Sequence, residues 1–332
     1  MYIINNYSEA VIFCIVTMLC WGSWANTQKL AASHWRFELF YWDYVLGILL
    51  FSLVLAFTLG SRGSGGRSFV ADISQGSAGN MGSAIMGGII FNAANILLGA
   101  AIAIAGMAVA FPVGIGLALV IGVVVNYIAH PFGDVGWLAG GVALIVVAIL
   151  LNAFAYGRMQ AAGKRGARKG LAIAVAAGVL MGFFYKYVAA SMFTNFEVAE
   201  PGKLSPYTAV VLFSVGILLS NLVFNTLLMR RPFVGAPVSF AAYFKGGFRN
   251  HITGILGGAV WCLGMSFSIL ASGKAGPAIS YGLGQGATII AALWGIFIWK
   301  EFRGAPKGTA AVLSGMLVFY LVGLGLLVYA GA

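Results

Sequence analysis

Charge is scarce in this chain: 8% of its residues are Asp, Glu, Lys or Arg, against about 25% in soluble globular domains. A water-soluble fold is excluded, and a hydrophobic fraction of 61% places the chain in a lipid bilayer. Cysteine and histidine are also few. Cys14, Cys20 and Cys262 lie within apolar runs without CxxC spacing, which argues against a disulfide framework or a metal site. His34, His130 and His251 stand at helix ends without ligand spacing, and no Ser-His-Asp set appears. The sequence offers no catalytic set and no cofactor site, and reads as a non-enzyme. Neither the Gly/Ser-rich stretch 60–82 nor GKRGARKG at 163–170 matches the phosphate-binding pattern GxxxxGK[ST], and GLGQG at 282–286 lacks the strand-to-helix context of a dinucleotide site. The net charge of +11 sits in short loops rather than along a stripe with interleaved aromatics. Membrane topology accounts for it better than nucleic acid does.

What the chain does have is a repeated plan. Residues 257–299 form an apolar run, a Gly-Pro break and a second apolar run, and the stretch starting at Gly87 does the same. Gly87 and Gly88 answer Gly257 and Gly258, Phe91 answers Trp261, and 114–116 answers 282–284, at offsets of about 168 to 170 residues. Apolar runs of about 20 residues cross a hydrocarbon core of about 30 Å, and ten are read: 9–31, 41–60, 81–106, 110–129, 136–157, 170–193, 206–229, 251–273, 276–299 and 308–330. The predicted fold is therefore an all-α integral membrane protein of ten transmembrane helices. A first five-helix repeat covers 1–157, a cytoplasmic connection 158–169 and a second repeat 170–332. Because five is odd, the second set sits upside down relative to the first, and one site is expected between the halves.

Fourteen Lys and Arg residues fall in loops after odd-numbered helices and four in loops after even-numbered ones. This bias puts both termini on the outer, periplasmic side of the cell's inner membrane and 158–170 in the cytoplasm. The N-terminus has no basic residue before its first apolar run, so that run is read as a retained helix rather than a signal peptide. The stretch 60–82 reads as a flexible external linker.

Candidate site residues follow from polarity at membrane depth. Asn26, Asn92, Asn95 and Gln285 are uncharged groups able to hydrogen-bond a neutral ligand without burying a charge. Trp24, Phe91, Trp261 and Tyr281 could stack on a sugar ring or a flat heterocycle. Trp35, Tyr41 and Trp42, near a helix end, read as interfacial belt. Lys186 lies inside a span, where an ammonium costs at least about 2.5–3.5 kcal/mol, so a wet cavity or a partner such as Asn26 is expected. Asp43 is read as a clamp on Lys29 or Arg36, or else as a group that takes up a proton; Asp43 and Lys186 are the coupling candidates. Glu301 reads as a helix-end partner of Lys300 or Arg303. Gly106, Pro112, Gly273 and Pro277 are hinge candidates. The pairs Gly136/Gly140, Gly178/Gly182, Gly254/Gly258 and Gly282/Gly286 read as helix packing.

The aromatic-Asp-Tyr start of the second span running into AFTLG (41–60), the pattern from Gly88 to Asn95 and the VIGVVVNY end of the fourth span resemble plant ureide permeases. GLGQGATIIAALWGIFIWKE resembles the related glucose/ribose porters of the drug/metabolite transporter superfamily. The resemblance implies a ten-helix basket, uptake of a small polar solute by alternating access and proton coupling. The plant members carry a long central loop with a Walker-like segment, which 158–170 does not contain. Scarce buried charge favours a neutral solute, ureide- or nucleobase-like or a monosaccharide, with the bilayer and protons as the other partners and a monomer or homodimer as the assembly. An exporter of drugs or amino acids of the same superfamily, and a non-transport membrane subunit, are the alternatives.

Overall fold

The computed structural model describes residues 1–32, 34–63, 65–105, 107–159, 167–300 and 302–332. Helices are α1 (Tyr7–Ser23), α2 (Asn26–Leu30), α3 (Phe37–Phe57), α4 (Phe69–Gln75), α5 (Ala78–Ala105), α6 (Met107–Ala129), α7 (Val135–Met159), α8 (Ala167–Ser191), α9 (Pro206–Arg230), α10 (Phe240–Phe244), α11 (Phe248–Gly284), α12 (Ala287–Leu293) and α13 (Thr309–Ala330), with a π-turn at Trp294–Ile298. The only bridge among the described residues is Met192 to Leu204, and no strand forms. Among the described residues, seven helical stretches are long and apolar enough to cross a membrane, and Tyr7–Ser23 and Val113–Ala129 are shorter apolar helices. The molecule is a multi-pass membrane protein.

Local sequence explains the boundaries. Asn6 Oδ1 accepts from the Glu9 N–H to start α1, and Ser205 Oγ accepts from Thr208 ahead of Pro206 at the first turn of α9. Inside α11 the helix breaks at Gly276 (φ 71, ψ 154), a conformation open to glycine, directly before Pro277. Ser280 Oγ donates to the Ser268 carbonyl at 2.5 Å across twelve residues, a separation of about 18 Å along a straight helix. The chain therefore doubles back at Gly276, within the hinge expected at Gly273 and Pro277. Of the earlier hinge pair, Gly106 lies outside the described residues, as do 160–166 of the connection and Glu301, while Pro112 falls within α6.

Two expected spans are interrupted. The first stops at Ser23 and resumes as α2. The ninth tightens at Gln285 and Gly286, where Gly286, Thr288 and Ile289 donate to the carbonyls three residues back.

Both termini share one end of the bundle: the Met1 ammonium donates to Gly65 O, Tyr7 OH to Val328 O, and Asp134 N–H to Ala330 O. At that end the stretch 60–82 departs from the flexible linker expected. Asp72, fully buried in α4, accepts from Arg67 Nε at 3.1 Å and from the Ser205 N–H at 2.7 Å, while Arg67 also donates to the Glu200 and Lys203 carbonyls. Glycine content suggested a loose chain, but one buried carboxylate ties it to the loop before α9. Asp72→Ala is expected to cost about 1–3 kcal/mol, since it leaves the buried Ser205 N–H without an acceptor and the partly buried Arg67 without its carboxylate; the check is the thermal unfolding of the purified protein.

The inner wall is α3, α9 and α11, 67% buried in their apolar windows, whereas α13, at 28%, packs with α7 at the periphery. A pair of backbone contacts occurs twice in this wall. A Cβ on Gly258 of α11 would lie 2.0 Å from Tyr44 O and 2.7 Å from Ile48 N of α3; one on Gly88 of α5 would lie 2.0 Å from Phe213 O and 2.9 Å from Ile217 N of α9. Gly47 likewise meets Ile255 O at 2.2 Å, and Gly216 meets Ile85 O at 2.1 Å. The second set lies roughly 170 residues from the first, with the two halves exchanging roles.

Candidate functional site

These close approaches bring the helices of both halves onto one aromatic centre. Gly88 admits α9 beside Phe91, and Gly258 admits α3 beside Trp261. The Phe91 and Trp261 rings then meet at 4.4 Å between centroids. Phe213 and Trp21 lie nearly parallel to Trp261 at 5.9 and 5.8 Å, and Phe184 meets Phe91 edge-on at 5.2 Å. Trp21 also donates from Nε1 to the Trp261 carbonyl. Rings at such spacings pack directly on one another and form an apolar wall that does not select charge.

An uncharged polar network adjoins this centre. Tyr41 OH donates to Asn92 Oδ1 at 2.9 Å and accepts from Asn95 Nδ2 at 3.0 Å. Asn92, fully buried, donates onward to Ser220 Oγ at 2.9 Å and to the Ile217 carbonyl. Tyr41 stacks on Tyr44, and Tyr44 on Trp24 at 4.5 Å. Gln285 sits at the tightened turn of the ninth span, next to Gly284, whose Cβ position lies 2.8 Å from the Trp21 ring. Among the described residues no hydrogen bond engages the Gln285 side chain, although it is buried; its amide is free for a ligand.

Of the residues singled out from the sequence, Phe91, Trp261, Asn92, Asn95 and Trp24 come together through these contacts, and Gln285 follows Gly284, which abuts the Trp21 ring. Three do not. Asn26 lies at the end of the bundle opposite the termini, where its Oδ1 accepts from Trp299 Nε1 at 2.6 Å. Tyr281 donates to the carbonyls of Ala118 and Met181 and fills the space a side chain at Gly122 would need, so it fastens α6 and α8 to α11. Lys186 is exposed on α8 beside exposed Tyr187. It reaches no partner at the centre, and its long stem lets it run toward an interface instead.

Asp43 is a clamp, but its partners are neither Lys29 nor Arg36. His251 Nδ1 lies 2.9 Å from Asp43 Oδ2, and Tyr243 OH donates to Oδ1 at 2.6 Å. Arg36 pairs with Glu38. The contact fastens α3 to α10 and the start of α11 at the end away from the termini. Burial first, and then the bond to Asp43, raise the Tyr243 phenol far above its usual range.

Tyr41 and Trp42 correct the expected interfacial belt: both are buried, Tyr41 in the network above and Trp42 with its Nε1 on Met229 Sδ. Trp35 is buried too, edge-on to His251. The sequence reading also missed Tyr44, Phe184, Phe213 and Ser220. The repeat held a signal for one of them, since Phe213 stands roughly 170 residues after Tyr44. A second buried polar cluster was missed as well: Tyr185 OH lies 3.2 Å from Ser268 Oγ and 3.5 Å from Ser280 Oγ, beside Cys14.

The ureide permease family model matches residues 164–330, half of the chain. The chain belongs to the ureide permease family. Ureide permease 1 and ureide permease 2 of Arabidopsis thaliana are each 22% identical to it, over alignments spanning 98% of this chain and 98% of theirs. One crystal structure shares the fold over 96% of this chain and 98% of its own, at a TM-score of 0.59 and 16% identity. Family membership makes this a transmembrane permease, and the alignments with the two relatives span both halves of the chain.

Proposed function

We propose that this ureide permease family member is a secondary transporter that takes up a small, neutral, planar solute of ureide or nucleobase type. The observation that carries the reading is the contact of Phe91 with Trp261, corresponding positions of the repeated sequence plan whose rings meet at 4.4 Å with a tilt of 36°. Around them stand amides and hydroxyls instead of charges. Rings of this kind suit a flat heterocycle better than a puckered sugar, and the amide of Gln285, which the network leaves unengaged, matches the N–H and C=O edges of a ureide.

The nine apolar helices and the doubling back at Gly276 support ten membrane passes, and the exchanged glycine contacts support two inverted five-helix repeats. Alternating access comes from rocking one repeat against the other, with the Gly276 break and the tightened turn at Gln285 yielding. Asp43 carries the coupling proton: as its clamp on His251 and Tyr243 opens, α3 is released from α11. With the termini outside, the end closed by this clamp and by the Asn26–Trp299 bond is the cytoplasmic one.

Uptake of radiolabelled uracil and hydantoin by cells expressing the full chain tests the reading. Expected is saturable uptake of one of these rings, competed by the other but not by glucose, and abolished by a protonophore. Glucose competition would turn the reading to a sugar porter. Absence of uptake together with protein-dependent efflux of a preloaded drug or amino acid would overturn it in favour of an exporter.

A further inference from the structure

A cavity of about 180 Å³ lies at the termini end, away from the aromatic centre, where the α6–α7 turn, the end of α8 and the break in α11 meet. Its size is close to the roughly 150 Å³ cavity that holds a single benzene ring. The helix break builds its walls. Gly276, at φ 71, receives Phe132, whose Cβ would lie 2.7 Å from a Cβ there; Gly273 receives the Phe196 ring at 2.5 Å. Any side chain at either position would collide with the aromatic wall. Phe193, edge-on to Phe196, is a third aromatic in the lining.

The polar part of the lining is made of hydroxyl and imidazole groups. Ser272 and Thr194 contribute hydroxyls, and the His130 imidazole has no hydrogen bond among the described residues. One turn earlier on the same helix, buried Asn126 keeps an Oδ1 without a partner. Pro277 carries no N–H, so the Gly273 carbonyl loses its regular helical donor and remains an acceptor at the lining. Of the charges beside the lining, Lys274 and Glu197 pair with each other at 2.8 Å, which holds the Glu197 carboxyl below its usual range, and Glu200 accepts from the Thr194 N–H and hydroxyl at 3.1 and 3.2 Å.

We infer that this cavity is a second binding site, a vestibule that takes the same single-ring, N–H-bearing neutral solute before it reaches, or after it leaves, the centre. This rests on the transport reading above. The aromatic walls hold the ring faces, while the Gly273 carbonyl and the His130 imidazole meet its polar edge. Because the site is built on the hinge, a bound ring lies between α8 and the two arms of α11.

Thiol accessibility tests it. The native cysteines are all buried, so Thr194→Cys or Pro131→Cys, exposed lining positions each changed in the full chain, supplies one reachable thiol for a small methanethiosulfonate reagent. Hydantoin or uracil at about ten times its Kd is expected to slow labelling about tenfold, since the free fraction falls to that degree. The same protection is expected when Gln285→Ala, a change at the centre, is added. Protection that vanishes with Gln285→Ala would mean that central binding closes the cavity from a distance, and would overturn the vestibule. Unprotected labelling at both positions in a protein that still takes up the probe would overturn it too and leave the transport reading intact. Absence of both uptake and protection would remove both.

Discussion

Gly258→Val and Gly88→Val each yield little or no monodisperse protein in mild detergent. The Cβ of either residue would stand 2.0 Å from a carbonyl oxygen of the neighbouring helix, Tyr44 O in one case and Phe213 O in the other. A backbone oxygen on a helix cannot rotate away as a side chain can, so the only relief is to part the helices. Overpacking a core costs about 1–3 kcal/mol where neighbours can shift; here the interface itself must open, and Tyr44 and Trp261 lose their shared wall. Alanine at these positions already places the offending atom, and valine adds two more. Gly79→Ala is the matched control, because nothing lies within 4 Å of its Cβ position; its melting is expected to equal the wild type's or exceed it slightly through the glycine entropy effect. Wild-type melting in both valine variants would show that the duplicated contact is not what sets the helix spacing.

Gly258 was legible as a packing position through its spacing from Gly254, with Gly88 as its counterpart in the repeated plan, and the reason is physical. In lipid no hydrophobic drive separates inside from outside, so close backbone approach at small residues does the work, and small residues at helical spacing stay visible in a sequence. Phe91 and Trp261 were legible for a related reason, since they occupy corresponding places in a duplicated plan. What could not be read was direction around each helix axis. Helices such as α3 and α13 are apolar on nearly every side, so no polar face distinguishes the core from the lipid. Lys186 illustrates the consequence. Its depth suggested a cavity, yet successive helical residues turn by about 100°, and its neighbour Tyr185 took the inward direction instead. Asp43 shows a second limit. Its partner His251 lies 208 residues away, and neither periodicity nor charge pattern could choose that residue over the nearer Lys29 and Arg36. Tyr281 carried the right chemistry for a ligand contact, but two carbonyls of neighbouring helices had already taken its hydroxyl.

Gln285→Ala is expected to separate transport from folding, and Asn92→Ala to confound them. Both residues are buried amides near the same aromatic centre, but their bonding differs. Asn92 is engaged on both sides, accepting from Tyr41 and donating to Ser220 and Ile217. Its removal strands a buried tyrosine hydroxyl and costs about 1–3 kcal/mol of stability, so lower uptake by that variant reports partly on less folded protein. Gln285 has no such bonds to lose. Deleting its amide should leave melting and membrane yield unchanged, while uptake at limiting substrate falls at least about tenfold, the equivalent of one or two hydrogen bonds to a neutral ligand. The conservative Gln285→Asn, shorter by one methylene, should recover part of the loss only for a solute small enough to shift toward it. A steady series from uracil to larger rings would then measure the width of the site between Trp21 and the turn at Gly286. Unchanged uptake by Gln285→Ala would place the solute elsewhere along the Phe91–Trp261 stack and make the turn a mechanical hinge alone.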